Sequence, residues 1–186
     1  MMKNIATLCV FVLLALVVGC GGPAEEAAVE AAEEVEAPVV VELTPDEKVA
    51  GLEQMCTEAM EAITTRQAES SLYDRVGGRE GINTVVVDTV GRHQVNEDIK
   101  HLLEGVDADH LIAQVTDFLV VATGGEGEYN GQDMVAAHAH MSLTNADFLA
   151  AGGDLGAAME SAGWGENESQ ELLCAFVSLR GDVVTM

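Results

Sequence analysis

The sequence predicts an all-α protein, and three observations carry that prediction. It is rich in Ala, Leu, Val and Glu, and no proline follows Pro45, which favours helix. Apolar side chains recur at three- and four-residue intervals along most of the chain. The one β-prone run, Val85-Val86-Val87, has no alternating partner strand nearby. With 48% apolar but only 4% aromatic residues, the core must be built mainly from Val, Leu, Ala and Met. A chain of 186 residues accommodates one ordinary domain with extensions. The formal charge of −24 argues against nucleic-acid binding and against charge-driven adsorption to anionic lipid.

Residues 1–19 read as a lipoprotein-type signal peptide rather than part of the fold. A short basic start precedes the apolar run Ile5 to Val18, which is too short to span a bilayer comfortably. The run ends Leu16-Val17-Val18-Gly19-Cys20, small residues before a cysteine, which resembles the bacterial lipobox. Cleavage there would make Cys20 the first residue, and its acylation would tie the protein to a membrane. This implies an exported protein, lipid-anchored at the periplasmic face. Gly21 after the cysteine, rather than Asp, points to the outer membrane in a cell that has one. Residues 20–45 then form an acidic tether. Residues 21–70 hold 13 acidic and 2 basic side chains, so self-repulsion and scarce apolar surface predict disorder in its Ala/Glu part.

Residues 46–67 predict an amphipathic helix. Val49, Leu52, Cys56, Met60 and Ile63 recur at helical spacing, Thr44 is a candidate cap and Pro45 suits the first helical position. Beyond it, residues 71–184 form the domain proper. The Val-rich first long helix runs from Gly81 to Gln94 and is stopped by Asn96-Glu97-Asp98; Ile99 to Leu103 is a short apolar turn. Asp107 caps a helix in which Leu111, Val115, Phe118 and Ala122 share a stripe. A glycine loop, Gly124 to Gly131, must turn sharply, and a helical run from Gln132 to Leu143 follows. Thr144, with Asp147 three residues on, caps a helix to Ala162, weakened by Gly152, Gly153 and Gly156. Gly163-Trp164-Gly165 breaks the chain before the last helix, Asn167 to Asp182, whose Leu172, Leu173, Phe176, Val177 and Leu179 supply core.

Candidate chemistry is sparse. A glycine hinge that delivers His138 opposite an apolar helix builds a pocket with a single metal ligand. His138 and His140 are two apart, so on a helix they point to nearly opposite sides and cannot share one ion. His93, His101 and His110 show no metal spacing and read as solvated or beside the charged edge of a cofactor. HExxH, GxSxG, CxxC and CxxCH are all absent, which removes zinc-hydrolase, serine-hydrolase, thioredoxin-type and covalent c-type haem readings. Cys56 and Cys174 either form a disulfide or stay as two buried thiols acting as small apolar residues; the thiol reading is preferred here.

Four landmarks, in order and at consistent intervals, resemble the group 1 truncated haemoglobins. They are Ser71-Leu72-Tyr73-Asp74-Arg75-Val76-Gly77-Gly78, Glu104-Gly105-Val106-Asp107, Gly124-Gly125 with Tyr129-Asn130-Gly131, and Met134-Val135-Ala136-Ala137-His138. The resemblance covers about 115 residues from Ser71 onward, and nothing before Ser71 takes part. It implies a truncated globin-like two-over-two helical sandwich around haem b, with His138 as the proximal iron ligand. Met134 shares the His138 face, and Phe118 matches the family's distal-helix phenylalanine. Val90, Leu102, Leu103, Leu111, Gln114, Val115, Phe118, Tyr129 and Met134 are then the side chains expected around the cofactor.

The distal side departs from the family. Val90 stands where many members have a tyrosine, Leu111 and Val115 where a polar group is usual, and Leu102 or Leu103 where globins place a phenylalanine. Gln114 lies where some members carry a second iron-binding histidine, so six-coordinate binding through that position is not expected. The resemblance implies a protein that reversibly binds a diatomic gas, O2 with CO or NO also accommodated. Two alternatives are a haem-dependent NO dioxygenase or peroxidase-like enzyme served by an external reductase, and a haem-free helical interaction module. No flavin or NAD motif is present to support self-contained turnover.

Overall fold

The computed structural model describes residues 42–186. The signal segment, Cys20 and the acidic tether lie outside them, apart from the tether's last residues. No strand occurs among the described residues, and no helix there is long and apolar enough to cross a membrane.

Helix α1, Pro45–Glu69, starts where its caps dictate. Thr44 accepts from the Glu47 amide while the Glu47 carboxylate accepts from the Thr44 amide, and Pro45 takes the first helical position. The Thr44 hydrogen bonds, the backbone one foremost, hold the Glu47 carboxyl below the ordinary glutamate value. The buried face carries Val49, Cys56 and Ile63, with Leu52, Met55 and Ala59 beside them. Met60, expected on that face, is 53% exposed; Ala59 takes its place in the seam.

Four helices make the sandwich. Helix α2, Leu72–Arg75, capped by Ser71, leads through a left-handed Gly77 into α3, Gly78–His93. Helix α3 starts three residues before the expected Gly81. Val85, Val86 and Val90 pack helically despite their β preference because two sides of the helix are buried, while Val87 stays exposed. Val85 meets Leu155, Ala158 and Met159, while Ile82, Val86 and Val90 meet Val120. A 3-10 turn, Lys100–Leu103, precedes α4, Ala108–Ala122, which Asp107 caps through the His110 amide. Helix α4 packs against α3, and α3 crosses α6, Asn145–Ser161. The Thr144–Asp147 capping box opens α6. A Schellman turn closes it, with the amides of Gly163 and Trp164 bonding to the carbonyls of Glu160 and Met159. Helix α7, Glu166–Ser178, pairs with α6, so α3 with α4 and α6 with α7 form the two layers. The expected single last helix is broken at Leu179, and α8, Arg180–Val183, follows.

Helix α1 lies outside this sandwich, against α7 and α6. A Cys56–Cys174 disulfide joins it to α7, so the preferred reading of two free thiols is corrected. The sequence places Cys56 on an apolar helical stripe and Cys174 within the last helix, but does not show that the two face each other. The disulfide closes a loop of 118 residues, for which chain entropy alone predicts about 4–5 kcal/mol of stabilisation. A polar clasp reinforces the seam. Glu171 on α7 is 3% exposed and receives Arg75 Nη2 at 2.5 Å and Gln67 Nε2 at 2.9 Å. Burial alone would lower the Arg75 pKa; its hydrogen bonds to Glu171 and Glu168 outweigh that and raise it.

Candidate functional site

The sandwich encloses a cavity of about 1170 Å³, at or above the usual range of roughly 300–1,000 Å³ for cofactor and ligand sites. Its walls come from α3, α4, the 3-10 turn, the glycine loop, α5 (Met134–His138), α6, α7 and the end of α8. Helix α4 contributes the stripe read from sequence, Leu111, Val115, Phe118 and Ala122, while its Thr116 and Val120 are buried away from solvent. From the opposite layer come Phe148 and Phe176, stacked with centroids 4.3 Å apart. Gly152 explains that stack: a Cβ there would stand 3.1 Å from the Phe176 ring, so the glycine that weakens α6 lets the aromatic lie against it.

The glycine loop is shaped by close approach as much as by turning. A Cβ on Gly125 would meet the Tyr73 ring at 2.6 Å and Val120 at 2.8 Å, and one on Gly131 would collide with the Tyr129 hydroxyl and Gln114 Oε1. Tyr129 is thereby pressed edge-on against Phe118, centroids 5.3 Å apart, and its hydroxyl donates to the Gln132 carbonyl at 2.8 Å.

That bond fixes the start of α5, Met134–His138. The Asp133 side chain accepts from the Ala136 amide at 2.7 Å and caps it. The expected helix from Gln132 to Leu143 is shortened to these five residues. Ser142 adopts a positive φ of 52°, and the chain turns into the Thr144 cap of α6. Propensity favoured a longer run; the need to enter α6 in a new direction ends it.

His138 is half-buried and lines the cavity. Its Nδ1 lies 2.8 Å from the Met134 carbonyl oxygen. A carbonyl only accepts, so Nδ1 carries the proton and Nε2 the lone pair. His140 is exposed and outside the lining, as the two-residue offset requires.

The structure brings Val90, Leu102, Leu103, Leu111, Gln114, Val115, Phe118, Tyr129 and Met134 to this one cavity with His138. Gln114 turns its amide oxygen toward Gly131 at the loop side. Two cavity features escaped the sequence reading. Met141 and Leu143 follow α5 and were not separable from generic core. The other is the partner of His93, whose Nδ1 sits 2.8 Å from Asp154 Oδ2 on α6, 61 residues away, which no local pattern announces. His110, read as solvated or beside a cofactor's charged edge, lies at the exposed start of α4 and touches the cavity. Among the described residues no group of three or more His, Cys, Asp or Glu side chains is placed to hold a metal ion.

Residues 71–185 match the family model described as bacterial-like globin. The chain belongs to that family. A group 1 truncated hemoglobin of Tetrahymena pyriformis is 32% identical over 93 residues, spanning 50% of this chain and 77% of that protein. The group 1 truncated hemoglobin GlbN of Mycolicibacterium paratuberculosis is 30% identical over 121 residues, 64% of this chain and 89% of its own length. The Fe(III) crystal structure of the Tetrahymena pyriformis truncated hemoglobin superposes with a TM-score of 0.57 at 28% identity, covering 63% of this chain and all of that one. The two-over-two fold is thus shared with the truncated hemoglobins, and the match begins after α1.

Proposed function

We propose that this globin holds haem b in the cavity between its two layers, with His138 Nε2 as the proximal ligand of the iron, and reversibly binds a diatomic gas. The observation that carries the reading is the His138 Nδ1 bond to the Met134 carbonyl. It holds a proton at Nδ1, so that the neutral ring of this cavity-lining residue carries its lone pair on Nε2, the donor that haem iron takes from a globin. The surrounding lining fits the cofactor: mostly aliphatic and aromatic, with Phe118, Tyr129 and Met134 to press on the macrocycle. Haem would supply the iron centre at which the gas binds.

Gas affinity is then set by the opposite wall. Val90, Leu111 and Val115 offer no hydrogen-bond donor, and Gln114 is turned to the loop. A donor to bound O2 is worth about 0.5–1.5 kcal/mol, more where the ligand carries partial charge. Without one, O2 leaves quickly, CO is poorly discriminated against, and oxidation of the iron is faster. A reductase that restores the ferrous state is the partner this chemistry asks for. Acylation at Cys20 would place the domain at the periplasmic face of a membrane, on its acidic tether.

The test is the absorption spectrum of the protein expressed with haem available, beside His138→Ala. A strong Soret band in the parent, lost or shifted in the variant, is expected; a folded parent with no Soret band would refute the haem reading. Val90→Tyr should slow O2 release several-fold, and an unchanged off-rate would overturn the account of the distal wall. Cys20→Ser should release the protein from the membrane fraction, whereas continued membrane retention would dismiss the anchor.

A further inference from the structure

Outside the groups assigned above, one polar cluster reaches the cavity. His93 lies near the end of α3, one turn beyond Val90 and so on its side of the helix. His93 lines the cavity and its side chain is 19% exposed. Asp154 Oδ2 on α6 stands 2.8 Å from His93 Nδ1, and the same oxygen accepts from Asn96 Nδ2 at 2.9 Å. The Asp154 side chain is 17% exposed and is not part of the cavity lining.

The chemistry of this arrangement is directional. The Asp154 carboxylate, already accepting from Asn96, accepts from His93, which puts a proton on Nδ1, so that in the neutral ring the lone pair is on Nε2. Among the described residues, none hydrogen-bonds to His93 Nε2. The one side-chain nitrogen or oxygen sealed from solvent without a partner, among the described residues, is Arg66 Nε. Nε2 of His93, on the edge of the ring away from Nδ1 and Asp154, is not sealed in this way.

We propose that His93 is a proton-accepting residue for a small neutral protic guest, HX, of the class of water, hydrogen peroxide or hydrogen cyanide. The proposal rests on the haem reading above and supplies the polar group that Val90, Leu111 and Val115 lack. The H–X bond breaks, its electron pair stays on X, and the proton bonds to Nε2. The imidazolium formed is held by the Asp154 carboxylate at Nδ1; haem, when bound, would supply a ferric centre for X⁻. Nothing is oxidised or reduced. Asp154 and Asn96 are positioning residues: they fix the tautomer and orient the ring, as a carboxylate does for any imidazole base. Diatomic CO, which brings no proton, is indifferent to the device.

Hydrogen cyanide is the probe, with CO as its proton-free control. In ferric protein of normal Soret intensity, His93→Leu should slow cyanide association by about ten-fold or more, toward the low end of general acid–base effects. CO association with the ferrous form should change less than about two-fold on the same scale. Asp154→Asn keeps the histidine and tests the positioning role independently should His93→Leu not fold. It should also slow cyanide while sparing CO, and nitrogen NMR of the ferrous–CO protein should show the His93 tautomer shifting away from Nδ1–H. Unchanged cyanide rates in a haem-loaded variant, or an Nε2–H tautomer in the parent, would overturn the proposal and leave the haem reading intact. Equal slowing of cyanide and CO would also overturn it, because that is the signature of altered access. A parent without a Soret band would sink both.

Discussion

The two walls of the cavity are held in place by different forces. On the α3–α4 side, Ile82, Val85, Val86, Val90 and Val120 are all 4% exposed or less, and burial of each such side chain is worth about 1.5–3 kcal/mol. On the α5 side, not one residue of Met134–His138 is buried, and Val135 is 55% exposed. A five-residue helix is far below the roughly 12–15 residues an isolated helix needs in water. Hydrogen bonds hold it instead: Tyr129 to Gln132, Ala136 to Asp133, and the His138 ring to Met134. Burial gives the cavity its shape, while a few polar contacts aim the imidazole. Stability and aim should therefore be separable by mutation.

The largest effects belong to the buried side. Arg75→Ala strips the Glu171 carboxylate of its main partner at 3% exposure and should cost about 3–5 kcal/mol in urea unfolding. Because the folded Arg75 pKa is raised, this contribution is complete below the unfolded arginine value. It is lost only as pH rises through the still higher folded value, so it persists unchanged across the neutral range. Leu172→Ala, at a core position 2% exposed that also lines the cavity, should cost about 2–5 kcal/mol. Either variant, if still folded, should keep the His138 Nδ1–H tautomer in nitrogen NMR. A shift of that tautomer would show that the sandwich does aim the ring and would erase the distinction.

The intermediate case comes from the α5 side. Asp133→Ala removes the cap and should cost only about 0.5–2 kcal/mol of global stability. Its effect on the site should be disproportionate, with faster haem loss and a broadened His138 ring signal. A stability loss as large as that of Leu172→Ala, with an unaltered ring, would reverse the assignment of roles.

Much of the sandwich was legible because its signals are local. Caps at Thr44, Asp107 and Thr144, the Gly163-Trp164-Gly165 break and the α4 stripe each lie within a few residues of what they determine. What was not legible depends on partners far along the chain. The Cys56–Cys174 bond needs α1 and α7 to face each other across 118 residues. The engagement of His93 needs Asp154, and the seam position of Ala59 in place of Met60 depends on how α1 is rotated against α7. Helix α5 failed differently. Its apolar, alanine-rich run reads as a longer helix, and only the geometry of entering α6 cuts it short.

That cut is also where the smallest prediction lies, and it is of opposite sign. Ser142, between the imidazole segment and the α6 cap, holds φ at 52°, the single non-glycine residue in the left-handed region among those described. A side chain with a Cβ resists that region by roughly 1–2 kcal/mol, and the residue is exposed, so nothing buried compensates. Ser142→Gly relieves the strain but adds freedom to the unfolded chain, an opposing term of about 0.4–1 kcal/mol. The net should be a gain of a few tenths of a kcal/mol up to about 1, read as a slightly higher urea midpoint with an unchanged slope. If α5 is aimed only by its own hydrogen bonds, the His138 ring signal should stay sharp in this variant. If it broadens while stability rises, the strained turn is itself part of the aiming device, and the α5 wall extends to Ser142.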